Sequence, residues 1–376
     1  MTRVVGAGPA GYRHRVPSLR HSSDREAGYT RLRRGRGFQY LDHRGRTIDD
    51  AGTLARLRAL AVPPAWREVW LCRSRRGHLQ ATGIDAAGRK QYLYHPAWRE
   101  ERDRAKHDRI LEFAEALPEL RRAVGRHLRA RELDRDTALA AGVRLLDRTW
   151  IRVGGERYAK GAKTFGLATL RSRHLTIEDD TIIIDFEAKG GKRHTAEVED
   201  ARLARVLEEM DALPGHEVLK HRGPDGGLVD VRSTDINAYI KRYMGVAYTA
   251  KDFRTWAATV AAAVTLDGMD DLPPGRRRER AAATACRLVA EQLNNTPAVC
   301  RRSYIDPRVI DHYLAGRTIS SPGVADALPR RPGQSAAERA VVALLRSSTA
   351  DDRPTDVFPQ RPRGTERGGD DGGRVR

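Results

Sequence analysis

The hydrophobic pattern of this chain changes period once, near residue 100, and that change limits the folds open to it. From Gly37 to about Trp98 the apolar residues come in short, partly alternating runs broken by turn formers. FQYLDHRGRTI reads as two strands about an Asp-His-Arg-Gly turn, and VWLCRSRRGHLQATGIDAAGRKQYLYH as strands broken at Gly77, Gly83 and Gly88. After Glu100 the spacing is helical. RILEFAEAL is one helix, and Pro118 sits in the first turn of the next, through about Arg129. Leu139, Val143, Leu146 and Trp150 then share one helical face, while Arg144, Arg148 and Arg152 stripe another.

A β-island interrupts the helical part. LATLRSRHLTI, TIIIDFEA and KRHTAEVE predict three strands, the last two joined through Lys189-Gly190-Gly191, a hairpin signal. Further on, Thr249 and Asp252 make a capping-box start to a helix whose Phe253, Trp256, Val260 and Val264 share a face. A helix from about Arg277 to Leu293 breaks at Asn294-Asn295. Thr296-Pro297 and Asp306-Pro307 each set a capping residue before a proline, so Tyr304 falls between two short helices. Both ends are rich in Gly, Pro, Arg and Ser. The expected layout is a disordered basic leader (1–26), a β-rich domain (27–103), a mainly helical domain (104–319) and a largely disordered tail (320–376) with one short helix at 335–345.

The 376 residues carry 69 Lys and Arg against 50 Asp and Glu, a formal charge of +19. Codon usage in a GC-rich genome explains why arginine outnumbers lysine, but not the excess of cations. That excess favours a polyanionic partner, most simply nucleic acid. No apolar run is long enough to span a membrane and the first residues lack the apolar core of a secretory signal, so the cytoplasm is the expected compartment. Cys72, Cys286 and Cys300 show no metal-ligand spacing and are expected as buried free thiols. GAGPAG at 6–11 matches a dinucleotide-binding pattern, but only Val4-Val5 precede it and Pro17 interrupts any helix after it, so no such site is expected.

Four segments carry more specific information. IRVGGERYAK (151–160), FEAKGGKRH (186–194), KDFRTW (251–256) and NNTPAVCRRSYIDPRVI (294–310) occur in that order. They resemble the catalytic segments of type IB DNA topoisomerases, in the branch shared by poxviruses and bacteria. Upstream, LAVPPAWREVW and GHLQATGIDAAGRKQYLYHPAW resemble that branch's N-terminal DNA-clamping domain. The resemblance spans about Gly37 to Gly316. It implies an α+β fold, with a small β-rich N-terminal domain and a mainly α-helical catalytic domain related to tyrosine recombinases. It also implies a monomer that clamps duplex DNA, associates with the nucleoid, and needs no metal, ATP or other cofactor.

Under this resemblance Arg152 and Arg254 match the two phosphate-binding arginines, whose guanidinium groups stabilise charge on the nonbridging oxygens. An isolated arginine in so basic a chain is more often solvated, so the motif context carries the assignment. Lys189, at the hairpin tip, matches the lysine that protonates the departing 5′ oxygen as a general acid; Lys192 is a nearby competitor. Tyr304 matches the nucleophile. A phenol has a reference pKa of about 10, so neighbouring cations must favour its ionised form. Asn295 stands where viral and eukaryotic members carry histidine; it can donate a hydrogen bond to the phosphate but cannot carry a proton, and Asn294 is its alternative. Gln80, Arg89, Lys90 and Tyr92, with Tyr158 and Lys160 after the Arg152 motif, are the candidate DNA contacts, and the arginines of both tails read as added nonspecific attachment. A tyrosine recombinase, which usually has a His-x-x-Arg context where this chain has Lys-Asp-Phe-Arg, and a DNA-binding protein without catalysis are the competing readings.

Overall fold

The computed structural model describes residues 19–155, 164–188, 191–324 and 333–347. Lys189, Tyr158, Lys160 and the GAGPAG motif lie outside them. The chain divides into two compact units, Met1–Arg109 and Ile110–Arg376.

In the first unit, β1 (Tyr29–Arg34), β2 (Gly37–Leu41), α1 (Ala51–Ala59), β3 (Arg67–Leu71), β4 (Leu79–Ile84) and β5 (Lys90–Tyr94) follow one another. The strands form one antiparallel sheet in the order β2-β1-β3-β4-β5. Tyr40, Leu57, Val62, Val69, Leu71 and Ala81 make its core. Asp50 caps α1 by accepting the Thr53 N–H at 2.7 Å. The expected leader is too long. From Arg20 the chain is tied to this unit: Arg20 bridges Gly77, Ser22 Oγ donates to the Leu79 carbonyl at 3.0 Å, and Trp70 Nε1 donates to the Glu26 carbonyl at 3.0 Å. Gly28 is needed here, because a Cβ on it would lie 2.1 Å from Trp70 Nε1.

α2 (Pro96–His127) is a single helix that runs through Pro118, where two helices were expected. Proline removes the N–H that would bond the carbonyl four residues back. That carbonyl, on Ala114, instead accepts Gln334 Nε2 at 2.5 Å, so the helix continues with no orphaned acceptor.

The second unit continues with α3 (Arg135–Thr149), a three-stranded antiparallel sheet of β6 (Leu175–Glu178), β7 (Thr181–Ala188) and β8 (Lys192–Glu199), and α4 (Ala201–Asp211). The pair β9 (Lys220–Arg222) and β10 (Leu228–Asp230), unforeseen in the sequence, flanks the turn formers Gly223 to Gly227. Helices α5 (Ser233–Met244), α6 (Ala250–Asp267), α7 (Arg276–Gln292), α8 (Pro297–Ser303), α9 (Pro307–Leu314) and α10 (Ala336–Arg346) follow. The fold is α+β. In β7 the alternation places Ile182, Ile184, Phe186 and Ala188 on the buried face, and Ala188 pairs with Lys192 across the predicted hairpin. Residues 167–174, expected within a strand, are instead two short 3-10 turns. On α6, Phe253 and Trp256 are buried as expected, whereas Val264 is exposed.

The tail boundary also moves. α10 is capped by Ser335 and buries Val341, Leu344 and Leu345 against the main core of the second unit. Residues 333–347 therefore belong to that unit. Cys72, Cys286 and Cys300 are buried thiols, not disulfide-bonded. Among the described residues no helix is long and apolar enough to cross a membrane.

Candidate active site

Two backbone positions with φ in the left-handed region organise the site. Trp150 (φ 56°) ends α3 and turns the chain sharply, so Arg152 leaves the helix rather than extending the arginine stripe. Asn294 (φ 51°) does the same after α7. Such a conformation costs a bulky residue about 1–2 kcal/mol, and asparagine less. Both strained residues point their carbonyls at an arginine. The Trp150 carbonyl accepts Arg254 Nη1, and the Asn294 carbonyl accepts Arg152 Nη2 at 3.0 Å.

Arg254 comes from the first turns of α6, which Asp252 starts by accepting the Thr249 N–H at 2.8 Å. Its Nη2 donates to the Leu293 carbonyl at 2.7 Å. Arg152 Nη2 also donates to Asn295 Oδ1 at 2.7 Å, which leaves the amide nitrogen of Asn295 as the free end. That Nδ2 is buried and has no hydrogen-bond partner among the described residues, as is also true of Arg254 Nε.

Backbone hydrogen bonds also hold the start of the Arg152 loop. Leu167 and Ala168 donate to the carbonyls of Arg152 and Val153 at 2.9 and 2.8 Å. Gly154 and Gly166 lie face to face; a Cβ on Gly166 would sit 2.6 Å from Gly154 Cα. The two glycines permit this approach.

Tyr304 is half-buried at the C-cap of α8. Thr296 and Asp306 cap α8 and α9 as predicted, accepting the N–H groups of Val299 and Arg308 at 3.3 and 3.0 Å. Thr259, five residues along α6 from Arg254, fixes the backbone beside the tyrosine. Its Oγ1 accepts the Asp306 N–H at 3.1 Å and lies 3.3 Å from the Tyr304 carbonyl. The Arg254 guanidinium carbon stands 5.4 Å from the Tyr304 ring centroid.

His194 of β8 closes the site and was not singled out in the sequence. It pairs across the hairpin with Phe186, its ring centroid 5.3 Å away, and its Nδ1 lies 3.4 Å from Asn294 Nδ2. Lys192 Nζ donates to the Asn295 carbonyl at 3.3 Å, which brings the competitor of Lys189 into the cluster. The electrostatics are those of like charges in a dry place. Burial lowers the pKa of Arg152, and burial followed by the Arg152 charge lowers that of Arg254 to about 10. Both stay cationic at neutral pH. Burial, then Arg254 and Arg152, hold His194 at about 4, so its imidazole is neutral.

Four separated segments thus come together at one buried and one half-buried arginine, an amide and a tyrosine. Residues 95–313, more than half of the chain, match the model described as eukaryotic DNA topoisomerase I, catalytic core. The chain belongs to the type IB DNA topoisomerases. Residues 37–85 match the bacterial DNA topoisomerase IB N-terminal domain. The DNA topoisomerase 1B of Acanthamoeba polyphaga mimivirus is 28% identical over 267 residues, covering 69% of this chain and 80% of the relative. The vaccinia virus (strain Copenhagen) DNA topoisomerase 1B is 24% identical over 234 residues, 61% of this chain and 70% of the relative. The Drosophila melanogaster DNA topoisomerase 1 is 26% identical over 178 residues, 46% of this chain and 17% of the relative.

The candidate DNA contacts of this topoisomerase's first unit divide. Gln80 is a correction: only 4% exposed, it donates Nε2 to the carbonyls of Gly77 and Ser74 at 2.6 and 3.1 Å and so ties down the β3–β4 turn. Arg89 and Lys90 reach solvent, each beside a carboxylate: Asp85 at 2.9 Å and Asp24 at 2.5 Å. Tyr92 is exposed on β5 and stacks on Tyr94, ring centroids 6.2 Å apart. Tyr94 was missed, although its i+2 spacing from Tyr92 on a strand places both on one face.

Proposed function

We propose that this topoisomerase relaxes supercoiled duplex DNA by transient single-strand cleavage through Tyr304. The observation that carries the reading is the cluster of Arg152, Arg254 and Asn295, in which the Arg254 guanidinium carbon stands 5.4 Å from the Tyr304 ring centroid and Arg152 donates to Asn295. In the forward step Tyr304 loses its phenolic proton to water, its oxygen bonds to phosphorus, the bond to the 5′ oxygen breaks, and Lys189 gives that oxygen a proton. The 3′-phosphotyrosyl link conserves the phosphodiester energy, so resealing by the 5′ hydroxyl needs no ATP. Between the two steps the free end swivels and torsion drives relaxation.

Arg152 and Arg254 stabilise charge on the nonbridging oxygens, and positioned guanidinium groups in a low-dielectric site are effective at this. A buried donor without a partner costs about 1–3 kcal/mol, so a phosphate oxygen reaching Asn295 Nδ2 recovers energy on binding. Exposed Tyr92, with Arg89 and Lys90, supports DNA contact by the first unit. The wider reading is a monomer clamping duplex DNA, cytoplasmic and nucleoid-associated, with a catalytic domain related to tyrosine recombinases.

The test is relaxation of supercoiled plasmid with EDTA present and ATP absent. Wild type should relax both positive and negative supercoils, while Tyr304→Phe binds DNA and relaxes neither. Lys189→Ala should be slow on ordinary DNA and recover with a 5′ sulfur leaving group, which needs no proton. Relaxation by Tyr304→Phe removes the nucleophile assignment, and rescue of Lys192→Ala in place of Lys189→Ala transfers the acid role.

A further inference from the structure

The family model ends at residue 313, yet α10 beyond it reaches the machinery that aims Arg254. Glu338, in its first turn, is only 7% exposed. It accepts Arg121 Nη1 and Nη2 at 2.8 and 2.9 Å and Trp256 Nε1 at 2.9 Å. Arg121 turns its other edge to Asp147, with Nε and Nη2 at 2.8 and 2.9 Å from the two carboxylate oxygens. The Ser335 cap holds the carboxylate from behind, its N–H donating to Glu338 Oε2 at 2.8 Å.

Two routes lead from this carboxylate to the same arginine. Trp256 lies two residues after Arg254 on α6. Asp147 lies three residues before Trp150, whose carbonyl accepts Arg254 Nη1. Both the helix that carries Arg254 and the carbonyl that orients it are therefore registered against Glu338. An apolar residue would bury more easily here. A buried ion pair is weak support for stability, and its best-attested use is to fix register. An open cleft of about 800 Å³, lined by Trp150, Trp256, Val260 and Glu338 among others, lies at this end of α10.

We propose that Glu338 is a positioning residue for Arg254, and that α10 is a working part of the catalytic unit. The proposal rests on Arg254 binding the scissile phosphate. Misplacing a positioned group by about 1 Å costs up to about a hundredfold in rate. Glu338→Gln keeps the shape but loses the charge that holds Arg121, and should slow single-turnover cleavage by about tenfold to a hundredfold with DNA affinity little changed.

The deciding experiment uses full-length protein and a duplex with one mapped cleavage site, its scissile phosphate either normal or replaced by a methylphosphonate, which lacks the nonbridging charge. On the normal phosphate Glu338→Gln and Arg254→Ala should both be slow. On the methylphosphonate both should approach the wild-type rate, because the charge the arginine serves is gone. Trp256→Phe, which keeps the packing and loses one N–H, should show the same pattern more weakly and guards against misfolding of the Glu338 variant. If the Glu338→Gln and Trp256→Phe defects persist on the methylphosphonate while that of Arg254→Ala vanishes, Glu338 is general scaffolding and the inference falls. If the Arg254→Ala defect itself persists, the phosphate role of Arg254 falls first and takes the inference with it.

Discussion

His194 shows what burial beside two guanidinium groups does to an imidazole. Burial and the charges of Arg254 and Arg152 hold its pKa at about 4, below the ordinary histidine value of 6.5. The folded protein thus binds fewer protons here than the unfolded chain between those two pH values. This contribution to stability is complete above about pH 6.5 and is lost progressively as pH falls toward 4. Thermal melts from pH 7.5 to 4.5 should show a falling Tm, with a shallower fall in His194→Gln, which does not titrate. Parallel curves for the two proteins would mean that His194 is not held neutral. Its role was not legible in the sequence, because it depends on a cross-strand pairing with Phe186 and on arginines from two distant segments. Tyr304, Arg152, Arg254 and Asn295 could be singled out in the sequence because each sits in a long ordered motif. Gln80 misled for another reason. Strand β4 is internal to its sheet and buried on both faces, so alternation did not separate inside from outside.

At the scale of elements, capping chemistry read well and proline read badly. Thr249, Thr296 and Asp306 start their helices as local rules require, since a cap is satisfied within three residues. Pro118 looked like a helix boundary because local rules leave the Ala114 carbonyl without a donor. The donor comes from Gln334, more than two hundred residues away, which no local pattern reveals. Gln334→Ala should destabilise the protein by about 1–3 kcal/mol, the usual cost of a buried carbonyl left without a partner. Adding Pro118→Ala restores a backbone N–H four residues after Ala114 and should recover part of that loss. Urea denaturation of the single and double variants checks this, and additive effects in the cycle would mean that the carbonyl is satisfied by other means.

Charge belongs to the whole molecule, and its distribution limits which parts can hold DNA. The formal charge is +19. The first 18 residues hold three arginines and no acid, while the 29 residues from Ser348 hold six arginines against six carboxylates. The remaining net charge of +16 therefore lies between residues 19 and 347, and the C-terminal arginines, which looked like added attachment, bring no net cation. Each phosphate neutralised on duplex DNA contributes about −0.9 to the slope of log affinity against log salt. An enzyme that neutralises about six to ten phosphates should lose about 10³ to 10⁵ in affinity between 50 and 200 mM salt. Measured by fluorescence anisotropy with Tyr304→Phe, which cannot trap itself on the probe, that slope should be steep. Deleting residues 348–376 should leave it unchanged, because the arginines and carboxylates of that segment cancel. A slope shallower by two units or more after the deletion would instead mean that the tail arginines hold phosphates despite their acidic neighbours, and that local arrangement outweighs net charge.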